Sequence, residues 1–180
     1  YPHHVTLRKM RVENTFKKCF VMLARRDFME ADLRLLQILS QISKDYEFYL
    51  KPHPNSDIQT FANYAKEHHM YMIPQTMTIN ECMSDANFDW AIAVNTTAYY
   101  EALMRGVPCL RFADESFKLF SGSNDAFNST MQLEERLEWI SSNLSNGVYQ
   151  QDVDTHLNYV MGIGLNNYAD ILLEEIPNKS

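Results

Sequence analysis

Lys51-Pro52-His53-Pro54 closes one apolar run, and Asn95-Thr96-Thr97 closes another about forty residues later, directly ahead of a helical pattern that contains Glu101. Both segments carry residue types suited to phosphate chemistry. Prolines on either side of His53 stiffen its backbone and present the imidazole in a fixed direction. There it could donate to a phosphate oxygen and act catalytically by stabilising a departing diphosphate, or it could simply pack. Lys51 either meets a phosphate or is a solvated residue at a strand end. Any of Asn95, Thr96 and Thr97 could cap the following helix. The same hydroxyls, with exposed backbone N–H groups, could instead hold a phosphate, which can take the place of a missing side-chain cap. Glu101 falls one turn into that helix. The helix dipole alone would favour a carboxylate there, but it is also placed to accept bonds from both hydroxyls of a ribose.

These segments need strands to carry them. Strands are expected over 19–24, 47–50, 70–73, 89–94 and 108–112. Helices are expected over 30–42, from an Asp57 cap to about His69, over 78–84 and over 96–105. Two prolines at 52 and 54 forbid a continuing central strand, because each lacks a ladder donor. Gly106 and Pro108 stop the helix after Glu101 and start the next strand. Strands alternating with helices of this length predict an α/β fold with a parallel sheet built of βαβ units. Ligands of such sheets collect outside the carboxyl ends of the strands, and two loops of this kind imply a nucleotide-type ligand. Residues 113–129 read as a long polar loop of functional or mobile character, in which Asp114, Glu115 and Ser116 follow a strand end. Helices over 131–144, 152–161 and 166–176 complete the pattern, the last two joined through Gly162 and Gly164.

The 180 residues suit one domain, with 46% apolar and 22% charged residues as in an ordinary globular protein. No apolar stretch approaches the ~20 residues of a membrane helix. A chain that begins with Tyr1 reads as a piece of something longer. Cys19, Cys82 and Cys109 lack metal-like spacing, and reduced thiols in a cytoplasmic protein are the expectation. A formal charge of −7 disfavours nucleic acid as a partner. An early basic cluster (Arg8, Lys9, Arg11, Lys17, Lys18, Arg25, Arg26) reads as a solvated face or a seam to a missing segment. Histidines 3, 4, 68, 69 and 156 have no companions at metal-ligand spacing, so no metal site is expected. There is no glycine-rich phosphate loop and no nucleophile-elbow serine. Tyr71, Met72, Met77 and Met83 read as core.

Lys51-Pro52-His53-Pro54, then Asn95-Thr96-Thr97 and Glu101-Ala102-Leu103-Met104-Arg105-Gly106-Val107-Pro108, resemble the C-terminal half of GT-B glycosyltransferases. The likeness is to bacterial capsule and surface-polysaccharide enzymes, sialyltransferase-like enzymes with a His-Pro motif and teichoic-acid glycerophosphotransferases. It covers residues 17–145, with about twenty specific positions. It implies a Rossmann-like parallel sheet flanked by helices, one half of a GT-B fold, spanning 1–180 as a single nucleotide-sugar-binding domain with C-terminal helices over 151–176. It also implies that His53, Thr96 and Thr97 meet the donor phosphate and that Glu101 holds the ribose. The donor is then a nucleotide sugar, with no cofactor and no required metal. The glycan acceptor and the catalytic base would belong to an N-terminal domain absent from this chain, so the fragment alone should be inactive. The cell location implied is the cytoplasm, at the inner face of the membrane where the full-length enzyme would associate peripherally. Ala93, eight positions before Glu101, departs from the paired glutamates of retaining enzymes. A sugar-nucleotide epimerase, a CDP-glycerol-type glycerophosphotransferase and a non-catalytic α/β binding domain are the alternatives.

Overall fold

The computed structural model describes residue 10 and residues 16–85, 88–119 and 124–160. The helix expected over 166–176, the middle of the long polar loop, and Arg8, Lys9 and Arg11 lie outside these residues. Six parallel strands form one sheet: β1 (Lys18–Met22), β2 (Glu47–Lys51), β3 (Tyr71–Met72), β4 (Trp90–Ala93), β5 (Cys109–Phe112) and β6 (Ala126–Phe127). Their order is β3-β2-β1-β4-β5-β6, so the chain runs outward to one edge, returns, and runs outward to the other. The result is a Rossmann-like sheet flanked by helices, whose topological switch point falls between β1 and β4.

The central strands are covered on both faces, which is why they read as unbroken apolar runs. Trp90, Ala91, Ile92 and Ala93 are all buried, as are Cys19, Phe20, Val21 and Met22. Toward the edge, β2 alternates, with Phe48 and Leu50 buried and Tyr49 partly exposed. The helices are α1 (Met29–Ser40), α2 (Ile58–Glu67), α3 (Ile79–Asp85), α4 (Ala98–Met104), α5 (Thr130–Asn143) and α6 (Val148–Val160). By the right-handed rule for parallel crossovers, α1 and α2 belong on one face and α3 and α4 on the other, and Arg105 just past α4 donates to Asn80 of α3. Thr130 on α5 donates to Gln41 just beyond α1. On the opposite face, His156 of α6 meets the rings of Tyr99 and Tyr100 on α4.

Local sequence sets the helix ends. Asp57 accepts from the Gln59 amide and caps α2. Thr78 and Glu81 exchange side-chain and backbone bonds of 3.1 and 2.9 Å, a capping box for α3. Gly106, at φ 77°, closes α4: its amide donates to Leu103 and that of Val107 to Ala102, the Schellman arrangement that a left-handed residue permits.

Beyond shifts of one or two residues at element ends, several features differ from the sequence expectation. Helix α4 starts at Ala98, because Thr96 and Thr97 form the turn that leads into it. Helix α6 begins at Val148, four residues early. The polar loop contains β6, two residues held through Arg111 N donating to Asp125 O and Ala113 N to Phe127 O. Tyr71, expected in the core, is 50% exposed because β3 is an edge strand. All three cysteines are buried. No helix among the described residues is long and apolar enough to cross a membrane.

Candidate functional site

The carboxyl ends of β1, β2, β4 and β5 come out side by side, and the loops that follow them carry most of the residues singled out by sequence. After β4 the chain leaves the sheet through Asn95, at φ 45°, a left-handed turn that Asn tolerates better than most residues. Thr96 then satisfies the start of α4 by itself. Its hydroxyl accepts from the Ala98 amide at 3.2 Å and its carbonyl from Tyr99 at 3.3 Å, while the Thr97 carbonyl accepts from Tyr100 at 3.0 Å. Thr97 has already adopted helical backbone angles, so its side chain makes no capping bond. The first helical amides are therefore occupied, and it is the exposed hydroxyl of Thr97 that remains without a bond to the described residues.

Asn95, Thr96 and Thr97 line a cavity of about 140 Å3. Tyr99 and Tyr100 also line it, and Arg111 and Lys118 bring two cations to it. Arg111 occupies the sheet position beside Ala93 and is 6% exposed. Its guanidinium forks onto Asp125, with Nε donating to Oδ2 at 3.0 Å and Nη2 to Oδ1 at 2.8 Å. It also lies over the Tyr99 ring, 5.0 Å from the centroid. The Tyr99 hydroxyl donates to the same Asp125 carboxylate. Burial, reinforced by Asp125, pushes the Tyr99 phenol far above its ordinary pKa and keeps it a neutral donor. Behind these rings sits His156, 4% exposed, with neither ring nitrogen hydrogen-bonded to the described residues. Burial and then the Arg111 charge lower its pKa, so the ring is held neutral.

His53 does not line this cavity. It lies beyond β2, two strand spacings from β4 or about 10 Å, and its Nδ1 is 2.7 Å from Asn55 Oδ1. Lys51 is not the solvated residue that the sequence allowed, and it does not line this cavity. It remains in β2, 4% exposed, and its ammonium donates to the Pro52 carbonyl at 3.1 Å. Desolvation lowers its pKa, because burial disfavours the charged form. Glu101 is half-buried on α4 and outside the cavity lining. Burial raises its pKa, partly opposed by Arg105.

Several residues of this edge escape sequence reasoning. Arg111 is a single charge inside the apolar strand Pro108-Cys109-Leu110-Arg111-Phe112, a signal that a buried partner must exist. Asp32 is another, lying on the apolar side of α1 with Leu35, Leu36 and Leu39. It is fully buried, and its Oδ1 accepts from the Ala24 amide at 2.9 Å, just past the end of β1. Asp114 does bind, but to Arg34 of α1, through two bonds of 2.8 Å that span β4 and tie down the loop after β5. Phe117 of that loop packs edge-on against Phe28 at 5.7 Å. Lys118, the next residue, lines the cavity. No protein-family model and no curated protein matches the chain.

Proposed function

We propose that this chain is the nucleotide-sugar-binding half of a GT-B glycosyltransferase acting in bacterial surface-polysaccharide synthesis. The observation that carries the reading is the convergence of the Thr96–Thr97 turn with Arg111 and Lys118 on one cavity at the carboxyl edge of a doubly wound parallel sheet. Hydroxyl donors and cations lining one cavity suit a phosphate or diphosphate, and this edge is where such sheets bind nucleotides. Thr97 and Lys118 would donate to phosphate oxygens. Arg111, held by Asp125 and Tyr99, would supply a fixed positive charge that does not reorganise when charge develops on the departing phosphate. His53, about 10 Å across the edge, would act at the far end of an extended donor. The assignment of Glu101 to the ribose rests on the motif resemblance alone. Acceptor binding and the base would come from a second domain.

Calorimetric titration with CMP, CDP, UDP and GDP tests the reading. Saturable binding of one of them, weakened by Thr97→Ala, supports it. Binding that Thr97→Ala leaves unchanged would refute the site. Sugar transfer by this chain alone would refute the division of labour.

A further inference from the structure

His53 and Asn55 stand in a relationship that selects between the two neutral forms of the imidazole. Nδ1 of His53 lies 2.7 Å from Oδ1 of Asn55, and the Asn55 amide N–H points at the same Nδ1 from 3.3 Å. Nδ1 of a neutral ring can donate or accept, not both. The orientation of the Asn55 side chain decides the matter. The backbone N–H of Arg26 donates to Oδ1 at 3.2 Å, so the oxygen and not the amide nitrogen occupies that position. If Nδ1 accepted from Asn55 N, two lone-pair atoms would face each other at 2.7 Å. If Nδ1 carries the proton, that contact becomes a short hydrogen bond, and Oδ1 uses both of its lone pairs.

The backbone on either side is fixed as well. Gln75 Nε2 donates to the carbonyls of His53 and Pro54, at 3.2 and 2.6 Å. Ser56 Oγ donates to the Ala24 carbonyl at 3.4 Å, joining the loops after β1 and β2. The imidazole thus hangs from a loop pinned to both neighbouring loops, and Asn55 is its only side-chain partner among the described residues.

We propose that Asn55 is a positioning residue that locks His53 in the Nδ1–H tautomer and leaves Nε2 as the working nitrogen. This is the reverse of the tautomer that a histidine side chain prefers in water, so the lock has an observable consequence. The tautomer stands on this geometry, whereas its chemical consequence rests on the proposed function. A neutral His53 offers a lone pair at Nε2, which accepts from a substrate hydroxyl. It donates to a phosphate oxygen only after taking a second proton.

The test is a long-range proton–nitrogen correlation spectrum of the uniformly 15N-labelled 180-residue chain, recorded where the ring is neutral, with His53→Gln identifying the resonances. The expected result is a pyrrole-type Nδ1 and a pyridine-type Nε2 in the wild type. Asn55→Ala should move the ring toward the Nε2–H form, and Asn55→Asp, which keeps the acceptor, should restore Nδ1–H. An Nε2–H wild type overturns the proposal, and so does an Nδ1–H ring that persists in Asn55→Ala. Titrating CMP, CDP, UDP and GDP into the same samples separates the two readings. Absence of nucleotide binding would count against the proposed function and leave the tautomer result standing.

Discussion

Arg111 and Asp125 form a forked ion pair with both partners almost wholly buried, 14 residues apart in sequence and adjacent at the carboxyl edge of the sheet. The pair connects three things at once. Asp125 immediately precedes β6, Arg111 lines the cavity, and Tyr99, which donates to Asp125, belongs to the first turn of α4. Removing one partner leaves a buried charge without compensation, which costs far more than the pair contributes.

Asp125→Ala should therefore lower stability by about 3–5 kcal/mol, measured by urea denaturation. The double variant Arg111→Met with Asp125→Leu should recover a large part of that loss, because no charge is then left unpaired. Equal losses in the single and double variants would mean that the cost arises from packing.

A second buried carboxylate makes stability depend on pH in an unusual direction. Burial raises Asp32 from 3.8 to about 8, partly opposed by the bond from Ala24 N. The folded state then holds a proton that the unfolded state releases. The contribution of Asp32 is fully present below pH 3.8 and is lost as pH rises toward 8. Asp32→Asn keeps an acceptor for Ala24 N and cannot ionise. It should be more stable than wild type above pH 8, on the order of a few kcal/mol, and should lose that advantage near pH 4. A pH-independent difference in the midpoint of urea unfolding would show that Asp32 ionises freely in the folded chain.

The apolar runs made the sheet legible. Strands β1, β2, β4 and β5 were expected within one or two residues because a buried parallel strand has a sequence pattern of its own. Strand β6 has no such pattern. It is two residues long with one buried side chain, Phe127, and exists because Arg111 and Ala113 supply the ladder bonds. The Thr96–Thr97 turn was legible because a polar triplet stands between an apolar strand and a helix. Lys51 does end β2, as the following proline signals, but it is not solvated: it is buried and its ammonium donates to Pro52 O. The cationic wall of the cavity could not be read locally. Arg111 signals an unseen partner, and Lys118 follows a loop whose Asp114 and Phe117 contact Arg34 of α1 and Phe28 before it.

His156 should give the opposite pH slope to Asp32. Its unfolded reference is 6.5, and burial, followed by the Arg111 charge, lowers it in the folded chain while Asp125 and Asp152 pull the other way. As pH falls through 6.5, the unfolded chain takes up the proton first, and stability is lost until the folded ring also titrates. The slope is at most about 1.4 kcal/mol per pH unit. His156→Gln should flatten the stability curve below pH 6.5 while leaving its alkaline limb unchanged, as read from thermal unfolding at stepped pH. A curve with the same acid limb in both proteins would place the lost stability elsewhere.

Thr97 and Lys118 should weaken nucleotide binding in distinguishable ways. The Thr97 hydroxyl has no bond to the described residues and faces the cavity, so a bond to a phosphate oxygen would be charge-assisted and short range. Thr97→Ala should cost about 1.5–3 kcal/mol of affinity, or roughly 10- to 150-fold, nearly independent of salt. Lys118 is exposed and acts through a screened charge. Lys118→Ala should cost only severalfold at low salt, and its effect should vanish as ionic strength rises. Titrations of both variants at two salt concentrations separate a hydrogen-bond donor from a steering charge. Equal salt dependence in both would mean that neither side chain touches the phosphate.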